Sequence, residues 1–276
     1  QRRVFDIVRR FLMNNFLLRI AFGTLYAGLW LGSIWSSSTL YLIFLLTSLL
    51  LVCYEFLKLH NTTGKWKVVL VCGLAYGLFY TSIPDVAWAY SACFAQVWIA
   101  YQMLFQKKTS FNSFKSMGTA CFHIGIPMAL LYYFGSNGGV VHKELLTGIL
   151  LLVWTADSFA FIFGSWLGKR PLYTKVSPNK SLEGAVAALC FTPIVSYGIA
   201  QFSSALPTHT WVLIGFMTAL LSILGDLSQS HIKRMANIKD SGKLMPGHGG
   251  LYDRMDSIIF AAPIIYLTLT IFNYVS

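Results

Sequence analysis

Apolar runs of roughly 18–22 residues recur from one end of this chain to the other, and a helix of that length crosses a hydrocarbon core about 30 Å thick. A bilayer, not water, is the solvent such a sequence is made for. In lipid no water is available to backbone N–H and C=O groups, so each run must close its hydrogen bonds internally, as an α-helix. About nine spans can be read, at 16–36, 39–57, 67–83, 86–105, 117–134, 145–168, 184–205, 210–228 and 257–274. Composition agrees: 56% of residues are hydrophobic and 11% charged, and no soluble domain fits between the runs. The expected fold is all-α and polytopic, with about nine transmembrane helices whose C-terminal members line a cytoplasm-facing polar cavity.

Charge predicts the orientation. With the N-terminus inside and the spans alternating, nineteen of the twenty-one Lys and Arg residues fall on the cytoplasmic side. Lys143 is left outside, and Arg19 lies in the first span near its inner end. The formal charge of +11 thus belongs to one face, suited to anionic headgroups and nucleotide phosphates. There is no nucleic-acid-binding motif, and a membrane surface already accounts for basic loops.

Residues 1–16 read as a short interfacial helix with apolar side chains among four arginines, followed by a retained span rather than a cleaved signal. Cys53, Cys72, Cys93, Cys121 and Cys190 lie in apolar segments without CxxC spacing and are read as packing residues. His60, His123, His142, His209 and His231 are read as structural. Gly28–Gly32, Gly73–Gly77 and Gly164–Gly168 have the GxxxG spacing of close helix contacts, expected mainly inside the chain and compatible with a homodimer. Glu55, near the inner end of its span and preceding Lys58, is expected to pair or to snorkel, with a site role as the second reading. On this reading 1–150 is a scaffold of helices and 151–276 carries the chemistry.

That chemistry is densest in Ser230–Asp256, SHIKRMANIKDSGKLMPGHGGLYDRMD. Lys233, Arg234, Lys239, Lys243 and Arg254 can bind phosphate oxygens, beside Asp240, Asp253 and Asp256, which can hold a hard cation. Pro246, Gly247, Gly249 and Gly250 would let backbone N–H groups approach an anion, with His248 in the turn. Asp253 and Asp256, three apart, would share a helix face and converge on one cation. Asp226 closes the preceding span. Asp157 sits in the middle of another, where a charge costs roughly 2.5–3.5 kcal/mol unless paired or hydrated; it is either a buried hydrogen-bonded carboxyl or the lining of a polar cavity. In the connection 169–183, Ser177 and Ser181 can donate to phosphate and Lys180 supplies charge around a turn stiffened by Pro178, although Ser181 could equally cap the next helix.

The run from Ser230 to Asp256 resembles the signature of the phosphatidate cytidylyltransferases, also called CDP-diacylglycerol synthases, in Ser230, Lys233–Arg234, Lys239–Asp240, Gly242, Pro246, His248–Gly249–Gly250, Asp253–Arg254 and Asp256; only Met245 departs from it. Ala156-Asp157-Ser158, and Ser177-Pro178-Asn179-Lys180-Ser181 followed by Glu183 and Gly184, also look like that family. The resemblance is carried by about 154–256. It implies a nucleotidyltransferase that joins CTP and phosphatidate into CDP-diacylglycerol and pyrophosphate for phospholipid synthesis, at a bacterial inner membrane. It implies Mg2+, with a second cation left open, on Asp226, Asp253 and Asp256, and Asp157 as a further ligand or neighbour. Lys180, Lys233, Arg234, Lys239 and Arg254 would hold triphosphate or lipid phosphate, with Ser177, Ser181, His248 and Gly249 around the nucleotide. Two rivals remain open: a related enzyme using an isoprenoid lipid phosphate, and an ion-coupled transporter using Asp157 and Asp226.

Overall fold

The structure is a computed structural model that describes residues 2–60, 64–80, 86–105, 113–137, 140–242, 244–245, 249–272 and 274, with their side chains apart from 2–17, 19, 65, 78–80, 113–115 and 137. Helices α1 (Arg2–Ser36), α2 (Ser38–Leu59), α3 (Lys65–Tyr80), α4 (Val86–Phe105) and α5 (Ser113–Ala120) lead into a π-helical turn, Cys121–Gly125, and then α6 (Ile126–Gly135). A two-residue hairpin, β1 (Ser136–Asn137) with β2 (Val140–Val141), precedes α7 (Lys143–Leu167). A second antiparallel hairpin, β3 (Pro171–Tyr173) with β4 (Ser177–Ser181), joins α7 to α8 (Leu182–Phe202), followed by α9 (Thr208–Met235) and α10 (Tyr252–Ile271).

Among the described residues six helical stretches are long and apolar enough to cross a membrane: Ser38–Leu59, Ser116–Gly135, Lys143–Leu167, Leu182–Phe202, Thr208–Met235 and Tyr252–Ile271. The protein is a helical, membrane-embedded one, with the two small hairpins as its departure from pure α structure. A separate helix at 1–16 is not seen: the backbone is one helix from Arg2 to Ser36, and most side chains of that stretch lie outside the described residues. The connection read as 229–256 is shorter than expected, because α9 runs to Met235 and α10 begins at Tyr252. Lys233 and Arg234 therefore stand on a helix. Cations suit its carbonyl end, and the helix stops two residues later where Asn237 takes a positive φ of 56°. The Asn237 and Ile238 N–H groups then close on the carbonyls of Arg234 and Lys233 at 3.0 Å each.

Prolines shape two other helices. Pro127 has no N–H, and just before it the ladder slips to five-residue spacing, with Ile126 N–H bonded to the Cys121 carbonyl. Pro263 inside α10 leaves the Ile259 carbonyl without its usual donor, and the buried Gln96 of α4 supplies one at 2.9 Å. One continuous hydrophobic core runs from Trp30 and Tyr41 through Phe134 and Trp211 to Tyr266 and Leu269, across both halves of the chain. Glycines set its closest approaches. A Cβ on Gly148 would overlap the Trp211 ring, and one on Gly184 would strike the Ala160 carbonyl and approach Gly164 Cα at 3.0 Å. Of the three GxxxG pairs only Gly164–Gly168 is used this way. A Cβ on Gly28, Gly32, Gly73 or Gly77 would meet nothing within 4 Å.

The connections sort to two ends of the bundle. Lys58 and Leu59 share a cavity with Ala236–Gly242, and Tyr173 in the second hairpin donates to the Met103 carbonyl at the end of α4 at 3.1 Å. At the other end Lys143 donates to the Trp35 carbonyl at 3.0 Å, and Glu144 accepts from Ser203 at 2.9 Å and from the Ser204 N–H at 3.0 Å. The first end carries Lys169, Arg170, Lys175, Lys180, Lys233, Arg234 and Lys239; the second carries Lys143.

Candidate functional site

A cavity of about 380 Å3 opens between α7, α8, α9 and the second hairpin, and Asp157, Ser177, Lys180, Ser181 and Asp226 all line it. Local structure explains how they meet. In β4, Pro178 sits where a two-stranded hairpin requires no ladder donor, and the register pairs Pro171 with Ser181 and Tyr173 with Ser177. Pro178 thus lies in a strand and not in the expected turn. Ser181 ends the strand and caps α8, its hydroxyl accepting from the Gly184 N–H at 3.2 Å, while lining the cavity. Glu183 holds the preceding connection. It accepts from the Lys169 and Arg170 N–H groups at 3.2 Å each and pairs with the Arg170 guanidinium at 3.0 Å.

Lys180 reaches across the cavity to Asp226, Nζ to Oδ2 at 2.5 Å, both partly open to solvent. Asp226 also shares a hydrogen bond with the buried Asp256 of α10. Two carboxyl groups in such contact require a proton or a cation between them. Gly225 makes the contact geometrically available: a Cβ there would press on Phe260 at 2.9 Å and on the Asp256 carbonyl at 3.0 Å, so glycine lets α9 and α10 touch beside the pair. Asp157 is open to the cavity, accepts a long hydrogen bond from Ser257 at 3.4 Å, and lies close enough to Asp226 and Asp256 for the charges to interact. Of the two readings of Asp157, the cavity lining is the one seen.

Asp253 is turned elsewhere. One carboxylate oxygen pairs with Lys233 at 2.7 Å; the other accepts from the Ser241 N–H at 2.9 Å and from the Ser241 hydroxyl and Gly250 N–H at 3.0 Å. The expected convergence of Asp253 and Asp256 on one cation is therefore absent, because Asp253 faces the loop and Asp256 faces α9. Gly249, at φ +86°, and Gly250 do let the backbone close on an anion, as their position predicts, but that anion is the protein's own carboxylate.

The basic residues are dispersed. Arg234 donates to the Ile238 carbonyl at 3.0 Å, completing the end of α9. Lys239 lines the separate cavity with Lys58 and Ser241–Gly242. Arg254 is exposed, near enough to act on Asp157, and its carbonyl accepts from Tyr26 at 3.2 Å. Pro246, Gly247, His248 and Lys243 lie outside the described residues.

Glu55 departs furthest from expectation. It neither snorkels nor pairs with Lys58. It is only 6% exposed, and accepts from the Leu251 N–H at 3.2 Å, the Tyr252 N–H at 2.9 Å and the Ser241 hydroxyl at 3.0 Å. The one signal for it in the sequence is an acidic residue within an apolar span.

For a divalent cation the chemistry of the donors fits: Asp226 and Asp256 offer hard carboxylate oxygens in contact, with Asp157 beside them. Among the described residues no three His, Cys, Asp or Glu side chains already stand in a metal-holding arrangement. Lys180, which occupies one Asp226 oxygen, would have to release it.

Comparison with known proteins bears on the same residues. Three relatives are each named phosphatidate cytidylyltransferase. The Staphylococcus aureus (strain COL) protein is 34% identical over 174 residues, covering 62% of this chain and 65% of that protein. The Staphylococcus saprophyticus protein is 36% identical over 177 residues with the same coverage, and that of Bacillus subtilis (strain 168) 36% over 159 residues, 55% of each. The chain thus spans less than two thirds of the length of these curated relatives. The model of the cytidylyltransferase family matches residues 17–272, nearly the whole chain and every residue of the cavity, and the chain belongs to that family.

Proposed function

We propose that this chain is an integral-membrane nucleotidyltransferase that moves the cytidylyl group of CTP onto phosphatidate, giving CDP-diacylglycerol and pyrophosphate. The observation that carries the reading is the cavity lined by Lys180 and Asp226, with the buried Asp256 hydrogen-bonded to Asp226 behind it, in a chain whose relatives bear that activity's name. The reaction joins a phosphate oxygen of phosphatidate to the α-phosphorus of CTP and breaks the bond to pyrophosphate. The nucleophile is already an anion near neutral pH, so the protein has mainly to position and neutralise.

Lys180 suits that role. Its ammonium can exchange the Asp226 oxygen for a phosphate oxygen, with Ser177 and Ser181 as hydroxyl donors on the same strand. Asp226 and Asp256 would hold Mg2+, with Asp157 in reach, and a bound Mg2+ would neutralise charge building on the leaving pyrophosphate. Lys233, locked on Asp253, keeps the loop in place. The lysine-rich end of the bundle faces the cytoplasm on this reading, with the N-terminus inside a bacterial plasma membrane, so that CTP enters from water and phosphatidate from the leaflet. The open glycine faces at Gly28–Gly32 and Gly73–Gly77 suit packing against a second copy.

The test is pyrophosphate release from CTP by the detergent-purified protein, with and without phosphatidate and Mg2+. Release requiring both is expected, with Asp226→Asn at least a hundredfold slower while its unfolding midpoint is unchanged. Release with an isoprenoid lipid phosphate alone would move the substrate assignment. Folded protein that releases none with any lipid phosphate overturns the reading.

A further inference from the structure

Glu55 stands nearly two hundred positions before the residues it binds, on a helix that lines no part of the cavity around Lys180 and Asp226. A carboxylate taken out of water is strongly unfavourable unless its oxygens are satisfied. Here each one is, and every donor comes from the signature segment: the Ser241 hydroxyl and the N–H groups of Leu251 and Tyr252. The last two open α10, where the positive end of the helix dipole favours an anion. No Lys, Arg or His side chain among the described residues forms an ion pair with it. The segment is also shaped around Glu55. A Cβ on Gly242 or Gly250 would collide with its carboxylate, so two signature glycines are small because Glu55 lies against them.

Tyr252 is consequently held on three sides: its N–H by Glu55, its carbonyl by Gln229 of α9 at 2.7 Å, and its hydroxyl by His123 of the π-helical turn at 3.2 Å. Asp256 lies one helical turn further on. At 3.6 residues per turn, a slip of one residue at the start of α10 swings Asp256 by about 100° around the axis, away from Asp226. We propose that Glu55 is a positioning residue, which fixes the start and rotation of α10 and thereby delivers Asp256 to Asp226. This rests on the reading of Asp226 and Asp256 as the cation-holding pair. The scaffold half thus supplies one residue that the chemistry depends on.

The experiment uses the full-length protein in detergent, with Mg2+ alone as the ligand probe. Amide hydrogen exchange is followed at 241 and 250–257 in wild type, Glu55→Gln and Glu55→Asp, with and without Mg2+; pyrophosphate release is followed in parallel. In Glu55→Gln, exchange at these amides should speed at least tenfold while α7 and α8 are unchanged. The Mg2+ concentration that half-protects 253–257 should rise about tenfold, and kcat should fall by roughly a hundredfold, the scale of a 1 Å misplacement, with KM for CTP within threefold. Glu55→Asp, which keeps the charge, should recover part of each effect, and it decides the matter if Glu55→Gln does not fold.

Faster exchange with an unchanged Mg2+ requirement would make Glu55 a structural tie only and overturn the proposal. So would unchanged exchange, or wild-type protein that Mg2+ does not protect. If wild type shows the Mg2+ protection but releases no pyrophosphate, the proposed reaction fails and the shift in Mg2+ protection still decides the role of Glu55.

Discussion

Lys233 and Asp253 show how much of a signature can be spent on holding itself together. Their side chains are 12% and 9% exposed, and between them the pair and the Asp253 contacts to Ser241 and Gly250 close the loop onto α9. Removing one partner of so enclosed a pair leaves an uncompensated charge, a loss of about 3–5 kcal/mol. Asp253→Asn is expected to lower stability by about that much in a denaturant titration, and Lys233→Met by a similar amount. The double variant should lose clearly less than the sum, because the two share one interaction; strict additivity would mean the contact carries no weight. Asp226, half-open to the cavity, should show the opposite pattern, with stability kept and turnover lost.

At the scale of elements, one spacing motif has two different fates. Gly164 of α7 and Gly168, the residue just past its end, lie against Gly184 of α8 and its capping Ser181, so those helices approach without side chains between them and the hairpin is held over the cavity. Gly184→Ala should destabilise by about 1–3 kcal/mol, since the atoms in the way are backbone and must shift. Gly28→Ala and Gly73→Ala carry the same spacing but meet open space, and in the monomer each should stay within about 0.5 kcal/mol of wild type. Thermal unfolding of the three variants in detergent separates the cases. Hydropathy put a helix at each of the nine apolar runs, because a long apolar run in lipid has no alternative to helix. Among the described residues, however, six stretches, not nine, are long and apolar enough to cross a membrane, and α1 begins at Arg2 rather than at 16. Hydropathy also misjudged the end of α9, where Lys233 and Arg234 continue the helix, and it missed β3 and β4, whose polar residues have no periodicity strong enough to mark a five-residue strand.

Across the whole molecule, basic residues gather at the end of the bundle that also holds the cavity mouth and the signature loop, while Lys143 and Glu144 mark the other end. This sorting predicts a labelling experiment in intact cells, in a background with the five native cysteines replaced. Cysteine introduced at exposed Ser204 should react with a membrane-impermeant maleimide, and cysteine at exposed Lys175 only after the membrane is opened. Labelling of Lys175→Cys from outside would reverse the proposed orientation. The same end-to-end order explains why division into a scaffold half and a chemical half is too simple: Lys58 of α2 and Lys239 line one cavity, and Glu55 of α2 holds the start of α10.

By itself the sequence determined what local physics determines: a helical membrane protein, the asymmetry of its charge, and the few carboxylates and lysines too costly to leave in lipid without a purpose. Asp157 and Asp226 were legible for that reason, Ser177, Lys180 and Ser181 as phosphate-binding types in a polar connection, and the structure places all five around one cavity. Which way each polar side chain turns was decided only by tertiary structure. Asp253 and Asp256, three residues apart, face a loop and a neighbouring helix; Lys233 and Arg234, adjacent in sequence, close a salt bridge and a helix end. Glu55 met Ser241 and Tyr252 only once α2 and α10 had packed together. Spacing along a chain records the faces of a single helix, whereas the partners of a buried charge are set by which helices touch.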